Sequence, residues 1–249
     1  MVPDAGFLFA VAPGPRSDCP SMALALDDFM SDAAAVGFRE GRGWLFSPEP
    51  LRLPSADVGQ LERLGHPLRM FQQGCDRIYR RSARGTLPAW IAELLDAGKP
   101  GWLLEAQRSE ELREVAPRVI RPDLLLTEDG FALTELDAVP GGMGITGWLS
   151  KLYSGAGFEV LGGDSGMLDG FRSLLPVGGE VLISEEAADY RPEMEWLVQA
   201  LNALGGGSWG LGSAEAFNGD APIPALYRFF ELFDWESIPA VRSLALRRD

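Results

Sequence analysis

Apolar residues recur at helical spacing through several parts of the chain. The longest such pattern covers residues 56–81, where apolar side chains follow a period close to 3.6 and Gly65, Pro67 and Gly74 interrupt it. A further pattern begins near Pro88, a residue that is well tolerated in the first turn of a helix. The predicted helices are 21–36, 56–81, 87–97, 109–115, 144–153, 167–175 and 192–204.

Short apolar runs bounded by glycine, proline or acidic residues predict strands. Two of these runs flank a Glu-Asp-Gly turn and predict a β-hairpin. The proline-punctuated segment 44–54 predicts a loop or irregular strand, and the aromatic segment 226–235 fits either a strand or a helix. The predicted strands are 6–12, 119–127, 131–139, 158–161, 180–184 and a short one near Trp209.

The order of these elements predicts an α/β fold, because strands alternate with helices after residue 119. Three segments follow from the pattern. Residues 1–85 form a mostly helical N-terminal part, residues 86–176 contain the antiparallel hairpin, and residues 177–249 form a small α/β domain.

Acidic residues outnumber basic ones, and the formal net charge is −14. Such a surface repels nucleic acids, so we expect no nucleic-acid partner. The two cysteines, Cys19 and Cys75, lie too far apart in a long chain to suggest a disulfide framework. The N-terminus lacks a basic segment followed by a long apolar run, and no stretch is long enough for a membrane helix. We therefore expect a soluble, cytoplasmic protein without a membrane partner.

The predicted hairpin carries the most distinctive charged residues. A three-residue loop formed by residues 128–130, with glycine in the left-handed position, pairs Asp123 with Glu135 and Arg121 with Asp137. Paired residues, and residues two apart in a strand, project from the same face. We therefore expect these four side chains together at the open end of the hairpin. The opposite, apolar face is predicted to contain Leu124, Leu126, Ala132 and Leu136.

Carboxylates this close together repel one another unless a positive charge lies among them. Mg²⁺ prefers hard oxygen ligands and commonly binds one or two carboxylates together with substrate phosphates. Asp123, Glu135 and Asp137 are therefore candidate metal ligands, and Arg121 is a candidate catalytic residue that would contact a phosphoryl group. The competing interpretation is a solvated strand end with cross-strand ion pairs.

The hairpin resembles the magnesium-binding hairpin of ATP-grasp enzymes, which use ATP to join a carboxylate to an amine. The shared pattern is Arg-x-Asp, a glycine turn, and then Glu followed by Pro-Gly; it comprises Arg121, Asp123, Glu135, Asp137, Pro140 and Gly141. The resemblance implies Mg²⁺ and ATP as cofactors, with Arg121 stabilising the transferred phosphate or an acyl phosphate. Asp137 stands where the family usually has asparagine and adds a charge to the site.

The position of the hairpin is similar to that in the circularly permuted branch, represented by glutathionylspermidine synthase-like ligases. In that branch the hairpin precedes a small Rossmann-like pre-ATP-grasp domain, and the ATP-clamping lobe comes last. Residues 177–217 resemble the small domain, and residues 227–235 resemble the segment that leads out of it. Only Lys99 and Lys151 are available as lysines, so the ATP-clamping C-terminal lobe is expected to be missing from these residues.

The resemblance implies a carboxylate–amine ligase that forms an amide or peptide bond, or its magnesium-binding N-terminal portion. The partners would be small-molecule or peptide carboxylates and amines. Gly141 and Gly142 would then form a substrate-binding loop near the acceptor. A non-catalytic binding or scaffold module with the same fold is the alternative.

A second alternative is a dinucleotide-binding oxidoreductase. Gly142, Gly144 and Gly147 form a G-x-G-x-x-G sequence between a predicted strand and a predicted helix, with acidic residues about 20 positions later. Against it, the preceding strand carries Glu135 and Asp137, where a buried parallel strand should be apolar.

Four arginines at positions 77, 80, 81 and 84 form a basic run in this acidic chain. They could contact a phosphate or an acidic substrate, although a solvated helix face paired with local acids is the favoured interpretation.

Overall fold

The computed structural model describes residues 11–13, 37–39, 45–113, 115–128, 130–218, 225–231, 233–234, 237–238, 240 and 243. The fold is mixed α/β, as predicted. It divides into two compact units. The first contains the described residues up to Val58 and those from Val139 to 240, and the second contains Gly59–Ala138. The segment boundaries expected after residues 85 and 176 rest on sequence patterns and stay a prediction.

The described ranges contain short helices and strands, most of them close to the predicted positions. The strands are β1 (Val11–Pro13), β2 (Leu51–Leu53), β3 (Arg121–Thr127), β4 (Gly130–Asp137), β5 (Gly178–Ile183), β6 (Ser208–Ser213) and β7 (Leu226–Phe229). The helices are α1 (Ser55–Arg63), α2 (Gly65–Ala83), α3 (Trp90–Asp96), α4 (Gly101–Arg108), α5 (Met143–Gly155), α6 (Gly166–Leu174) and α7 (Arg191–Leu204), with a 3₁₀ turn at Ala188–Tyr190.

The first unit contains a three-stranded parallel sheet in the order β6-β5-β7. The central strand β5 is almost inaccessible to solvent at Val181, Leu182 and Ile183. Such a continuous apolar run is typical of a parallel strand covered on both faces. Strand β5 leads through α7 to β6, which is the strand–helix–strand order predicted for this part of the chain. A separate parallel pair joins β1 to β2.

Helix α5 forms the centre of an aromatic cluster in the same unit. Its Trp148 packs edge-on against Phe38 and Phe46, with ring centroids 5.4 and 5.0 Å apart. Ile145 and Leu149 each have only 1% of their surface exposed. Burial of such side chains contributes roughly 1.5–3 kcal/mol each. The predicted helix 144–153 is therefore confirmed, and its apolar spacing is explained by this cluster.

The second unit contains α2, α3, α4 and the hairpin of β3 and β4. The helical pattern predicted over 56–81 is divided at Leu64 into α1 and α2. Pro67 does not break α2, because it lies in the first turn, where backbone N–H groups have no partner within the helix.

Polar side chains between the helices of the second unit form a compact network. The hydroxyl of Tyr79 donates to Asp96 Oδ1 at 2.7 Å and accepts from Gln107 Nε2 at 2.5 Å. Arg108 also contacts both Tyr79 and Asp96. Burial raises the pKa of the Tyr79 hydroxyl above its usual value. The network thus ties α2, α3 and α4 together through a neutral tyrosine.

Two predicted elements are wrong. Residues 109–113 form bends and turns instead of a helix, and the preceding segment forms α4 instead. The chain leaves α4 at Ser109, which adopts an extended backbone. Residues 158–161 form no strand; they lead into a turn, and Val160 packs against the α5 cluster. The predicted helix 21–36 and the start of the predicted strand 6–12 lie outside the described residues.

None of the helices within the described ranges combines the length and the apolar character needed to cross a membrane.

Candidate functional site

The hairpin of β3 and β4 has the predicted pairing at its open end. Asp123 pairs with Glu135, and Arg121 pairs with Asp137. All four side chains consequently lie on one face of the two-stranded sheet, since paired residues and residues two apart share a face.

The predicted loop is wrong, although the pairing it was meant to explain is confirmed. Thr127 pairs with Gly130, so two residues connect the strands in place of three. A bulge then restores the register, because Leu124 pairs with Leu133 whereas Asp123 pairs with Glu135. The residue left over is Thr134, whose Oγ1 donates to the Asp123 carbonyl at 3.0 Å.

The bulge also changes the apolar face. Phe131, opposite Leu126, takes the place that was predicted for Ala132, Leu133 lies opposite Leu124, and Ala132 moves to the face that carries the charges. Neither face has a fully buried side chain, and Leu133 is about half exposed. The predicted apolar face of this hairpin is therefore at most half-buried and covers no core among the described residues.

Arg121 is the electrostatic centre of the charged face. Its Nε donates to Asp123 Oδ1 at 3.1 Å, and its Nη2 lies 3.5 Å from Asp137 Oδ2. Glu135 is exposed, and Asp137 is the most buried of the three carboxylates. The guanidinium therefore provides the positive charge that lets Asp123 and Asp137 lie so near each other.

The three candidate metal ligands share a face without forming a closed cage. In the part of the chain that the structure describes, no three acidic, cysteine or histidine side chains stand close enough to hold a metal ion. Arg121 bridges Asp123 and Asp137, so a cation at this face would require the guanidinium to turn away from the carboxylates.

The glycines that follow the hairpin lie against α7 and the turn before it. Gly142, the N-terminal cap of α5, has φ = +86°, a conformation that favours glycine. Its backbone N–H donates to Glu193 Oε1 at 3.1 Å. A side chain at Gly141 would overlap the ring of Tyr190, and one at Gly144 would overlap the backbone of Glu193.

Gly147 extends this contact by one further turn. A Cβ at that position would meet Trp196 Cζ3 at 2.9 Å. Gly144 thus lets α5 approach the backbone of α7, and Gly147 leaves room for the Trp196 ring.

These contacts weigh against the dinucleotide-binding alternative. Strand β4 belongs to an antiparallel hairpin, and no strand follows at residues 158–161 to place Glu159 or Asp164. A pyrophosphate would also need the N-terminus of α5, where the Glu193 carboxylate already accepts a hydrogen bond. The glycines therefore have a packing role that needs no ligand.

Glu193 is the residue that sequence reasoning missed. It is 2% exposed and lies in the first turn of α7. A signal was present, because Glu193 precedes the buried Met194 and stands four residues before the buried Leu197. A glutamate on the apolar face of an amphipathic helix indicates a buried partner.

Each of the two lysines of the chain has a side-chain contact with a helix residue. Lys99 Nζ lies 3.2 Å from Gln107 Oε1, and Lys151 Nζ lies over the ring of Trp196.

No family model matches the chain, and no curated protein and no solved structure is found to be similar to it.

Proposed function

We propose that this chain is an ATP-grasp-like carboxylate–amine ligase, or the magnesium-binding portion of one. The observation that carries the proposal is the register of the hairpin, which brings Arg121, Asp123, Glu135 and Asp137 to one face. The register is reached through a bulge beside Asp123, and bulges are frequent next to active sites, where they redirect side chains.

The donor set fits Mg²⁺ in its chemistry. Asp123, Glu135 and Asp137 would hold the ion through carboxylate oxygens, the ligand type that Mg²⁺ prefers. When bound, Mg²⁺ would neutralise charge on the phosphates of ATP. Arg121 would turn from the carboxylates toward the transferred phosphoryl group, whose oxygens suit a planar guanidinium. Without a ligand, Arg121 acts as the internal counter-ion of the site.

The parallel sheet of the first unit supports the same proposal. In the order β6-β5-β7, the strand that comes first in the sequence, β5, lies in the centre, and α7 connects it to β6. A small sheet of this type is consistent with the Rossmann-like pre-ATP-grasp domain that the sequence resembles.

A non-catalytic binding module is a second candidate. It is favoured by the contacts of Arg121 with Asp123 and Asp137, which partly neutralise the charge of the hairpin face. In such a module the four residues would stabilise the open end of the hairpin, and no metal would be needed.

Thermal unfolding with and without Mg²⁺ separates the two candidates. We expect Mg²⁺ at ten times its dissociation constant to raise Tm by roughly 3–6 °C, since binding to the folded state stabilises it by about 1.4 kcal/mol. Asp123→Asn and Glu135→Gln should abolish the shift. Glu128→Gln, in the exposed turn of the same hairpin, is the matched control and should keep it.

Mg-ATP tests the nucleotide half of the proposal. A larger shift with Mg-ATP than with Mg²⁺ alone, lost in Arg121→Gln, would support a phosphate-contacting arginine. If Mg²⁺ shifts the Tm of neither wild type nor Asp123→Asn, the ligase proposal fails and the binding module remains.

A further inference from the structure

The second unit contains a basic cleft in a chain whose net charge is −14. The cleft has a volume of about 240 Å³. Its lining residues are Arg77, Arg80, Arg81, Arg84, Arg113 and, as the single acidic one among them, Asp76. Five guanidinium groups in one small cleft require an explanation, because like charges at short distance repel.

Arg80 forms the fixed floor of the cleft. It is 5% exposed, and its Nε donates to both oxygens of Asp76 at 2.9 Å. Its two terminal nitrogens donate to the carbonyls at the end of α4, those of Gln107, Arg108 and Ser109, at 2.8–3.1 Å. This residue therefore has a structural role as the cap of α4, and its charge is held in one place.

Arg84 and Arg113 form a rim that a ligand can remodel. Both lie near Glu110, with N–O distances of 2.8 and 3.2 Å, and all three side chains are more than half exposed. Ion pairs in such surroundings are weak and are screened by salt. An anion that binds the two arginines more strongly could displace Glu110 with little loss of stability.

Arg81 stands between the floor and the rim along α2. Within the described part of the chain, its guanidinium makes no hydrogen bond and no ion pair, and the side chain is exposed. It follows Arg77 on α2 by four residues. Like charges at that spacing destabilise a helix, and a bound anion would remove the penalty.

We propose that the cleft binds a small ligand that carries two or more phosphate groups. Guanidinium groups match phosphate oxygens in forked pairs, and several of them on one helix can contact more than one phosphate. A long polyanion would extend over the acidic surface and be repelled, which favours a small ligand. The proposal rests on the cleft alone and is independent of the metal role of the hairpin.

Calorimetric titration of the full chain with pyrophosphate, in EDTA and 50 mM salt, tests the proposal. EDTA removes Mg²⁺, so the hairpin makes no contribution through a metal. We expect one site for pyrophosphate, weaker binding of inorganic phosphate, and an affinity that falls steeply with added salt. Arg81→Gln should weaken binding roughly tenfold or more, as expected for the loss of a charge-assisted hydrogen bond.

Two controls complete the test. Arg69→Gln removes an exposed arginine of the same helix that does not line the cleft, and it should leave the affinity unchanged. Glu128→Gln, in the exposed turn of the hairpin and outside the cleft, should also bind pyrophosphate like wild type in EDTA. Absence of pyrophosphate binding, equal binding by Arg81→Gln and wild type, or equal losses in Arg81→Gln and Arg69→Gln would overturn the proposal. Tighter binding of a tricarboxylate than of pyrophosphate would also refute the phosphate assignment.

Discussion

The buried carboxylate of Glu193 accepts a hydrogen bond from the backbone amide of Gly142 at 3.1 Å, across 51 positions of the sequence. The amide lies at the N-terminus of α5, where backbone N–H groups lack partners within the helix and favour a negative charge. The contact therefore caps one helix with a side chain of another.

Glu193→Ala removes this acceptor and is expected to lower the free energy of unfolding by about 2 kcal/mol or more. The loss follows because the Gly142 amide would stay buried without its partner. Glu193→Gln keeps an acceptor oxygen and the side-chain volume, so its cost should be clearly smaller. Urea unfolding measures both. Glu195→Ala, at an exposed position of the same helix, should change stability by less than about 0.5 kcal/mol; an equal loss there would refute the capping role.

Gly144→Ala is expected to destabilise the fold by about 3 kcal/mol, because the added methyl group would overlap the backbone of Glu193. Gly170→Ala is the matched control. Gly170 lies inside α6 with open space around it, so alanine should stabilise the protein by about 0.5–1 kcal/mol. Circular dichroism during urea unfolding gives both values. If Gly144→Ala unfolds like wild type, the close packing of α5 on α7 is wrong.

Arg80→Ala is expected to cost about 3–5 kcal/mol, since it breaks the ion pair with Asp76 and removes the donors to the carbonyls at the end of α4. Arg80→Lys should recover little, because one ammonium group cannot reach Asp76 and three carbonyls together. Thermal unfolding provides the measurement. Arg69→Ala, in the same helix, controls for the loss of positive charge, and a similar drop in Tm for both alanine variants would argue against the anchoring role.

Asp137→Asn tests the carboxylate at the position where the ATP-grasp hairpin, which this hairpin resembles, usually has asparagine. The amide retains one oxygen as a ligand but removes a charge, so we expect Mg²⁺ to bind more weakly than in wild type and more tightly than in Asp137→Ala. Calorimetric titration with Mg²⁺ compares the three proteins. Equal affinities in all three would exclude Asp137 as a ligand.

The hairpin shows how far alternation along a strand can predict a site. The pairing of Asp123 with Glu135 was inferred correctly, because four charged residues on one face satisfied the pattern of both strands. The loop was wrong because a three-residue loop and a two-residue loop with a bulge give the same pairing at the open end. The residue that distinguishes the two loops is Thr134, whose hydrogen bond to the Asp123 carbonyl joins the two strands at the bulge.

The side-chain contacts inside the first unit were harder to predict from the sequence. Apolar spacing predicted α5 and α7 correctly, but it does not show that they touch through glycines. The position of Glu193 on the apolar face of α7 indicated a buried partner, but it did not identify the distant Gly142 as that partner. Similarly, the arginine run predicted a solvated face, whereas Arg80 is buried because the end of α4 needs a cap.

Tyr153 gives a prediction for the alkaline range. Its hydroxyl donates to the Ser47 carbonyl at 2.7 Å, and burial raises its pKa from 10 to about 12. Between these values the unfolded chain loses the proton while the folded chain keeps it, so the stability contributed below pH 10 is lost as the pH rises toward 12. Tyr153→Phe should lower stability by about 1 kcal/mol at pH 8 and flatten this decline. Burial also raises the pKa of Tyr79, so the pH dependence of wild type contains contributions from both tyrosines. The difference in unfolding free energy between wild type and Tyr153→Phe, measured by urea unfolding from pH 8 to 11, isolates the contribution of Tyr153. Parallel pH profiles for the two proteins would contradict it.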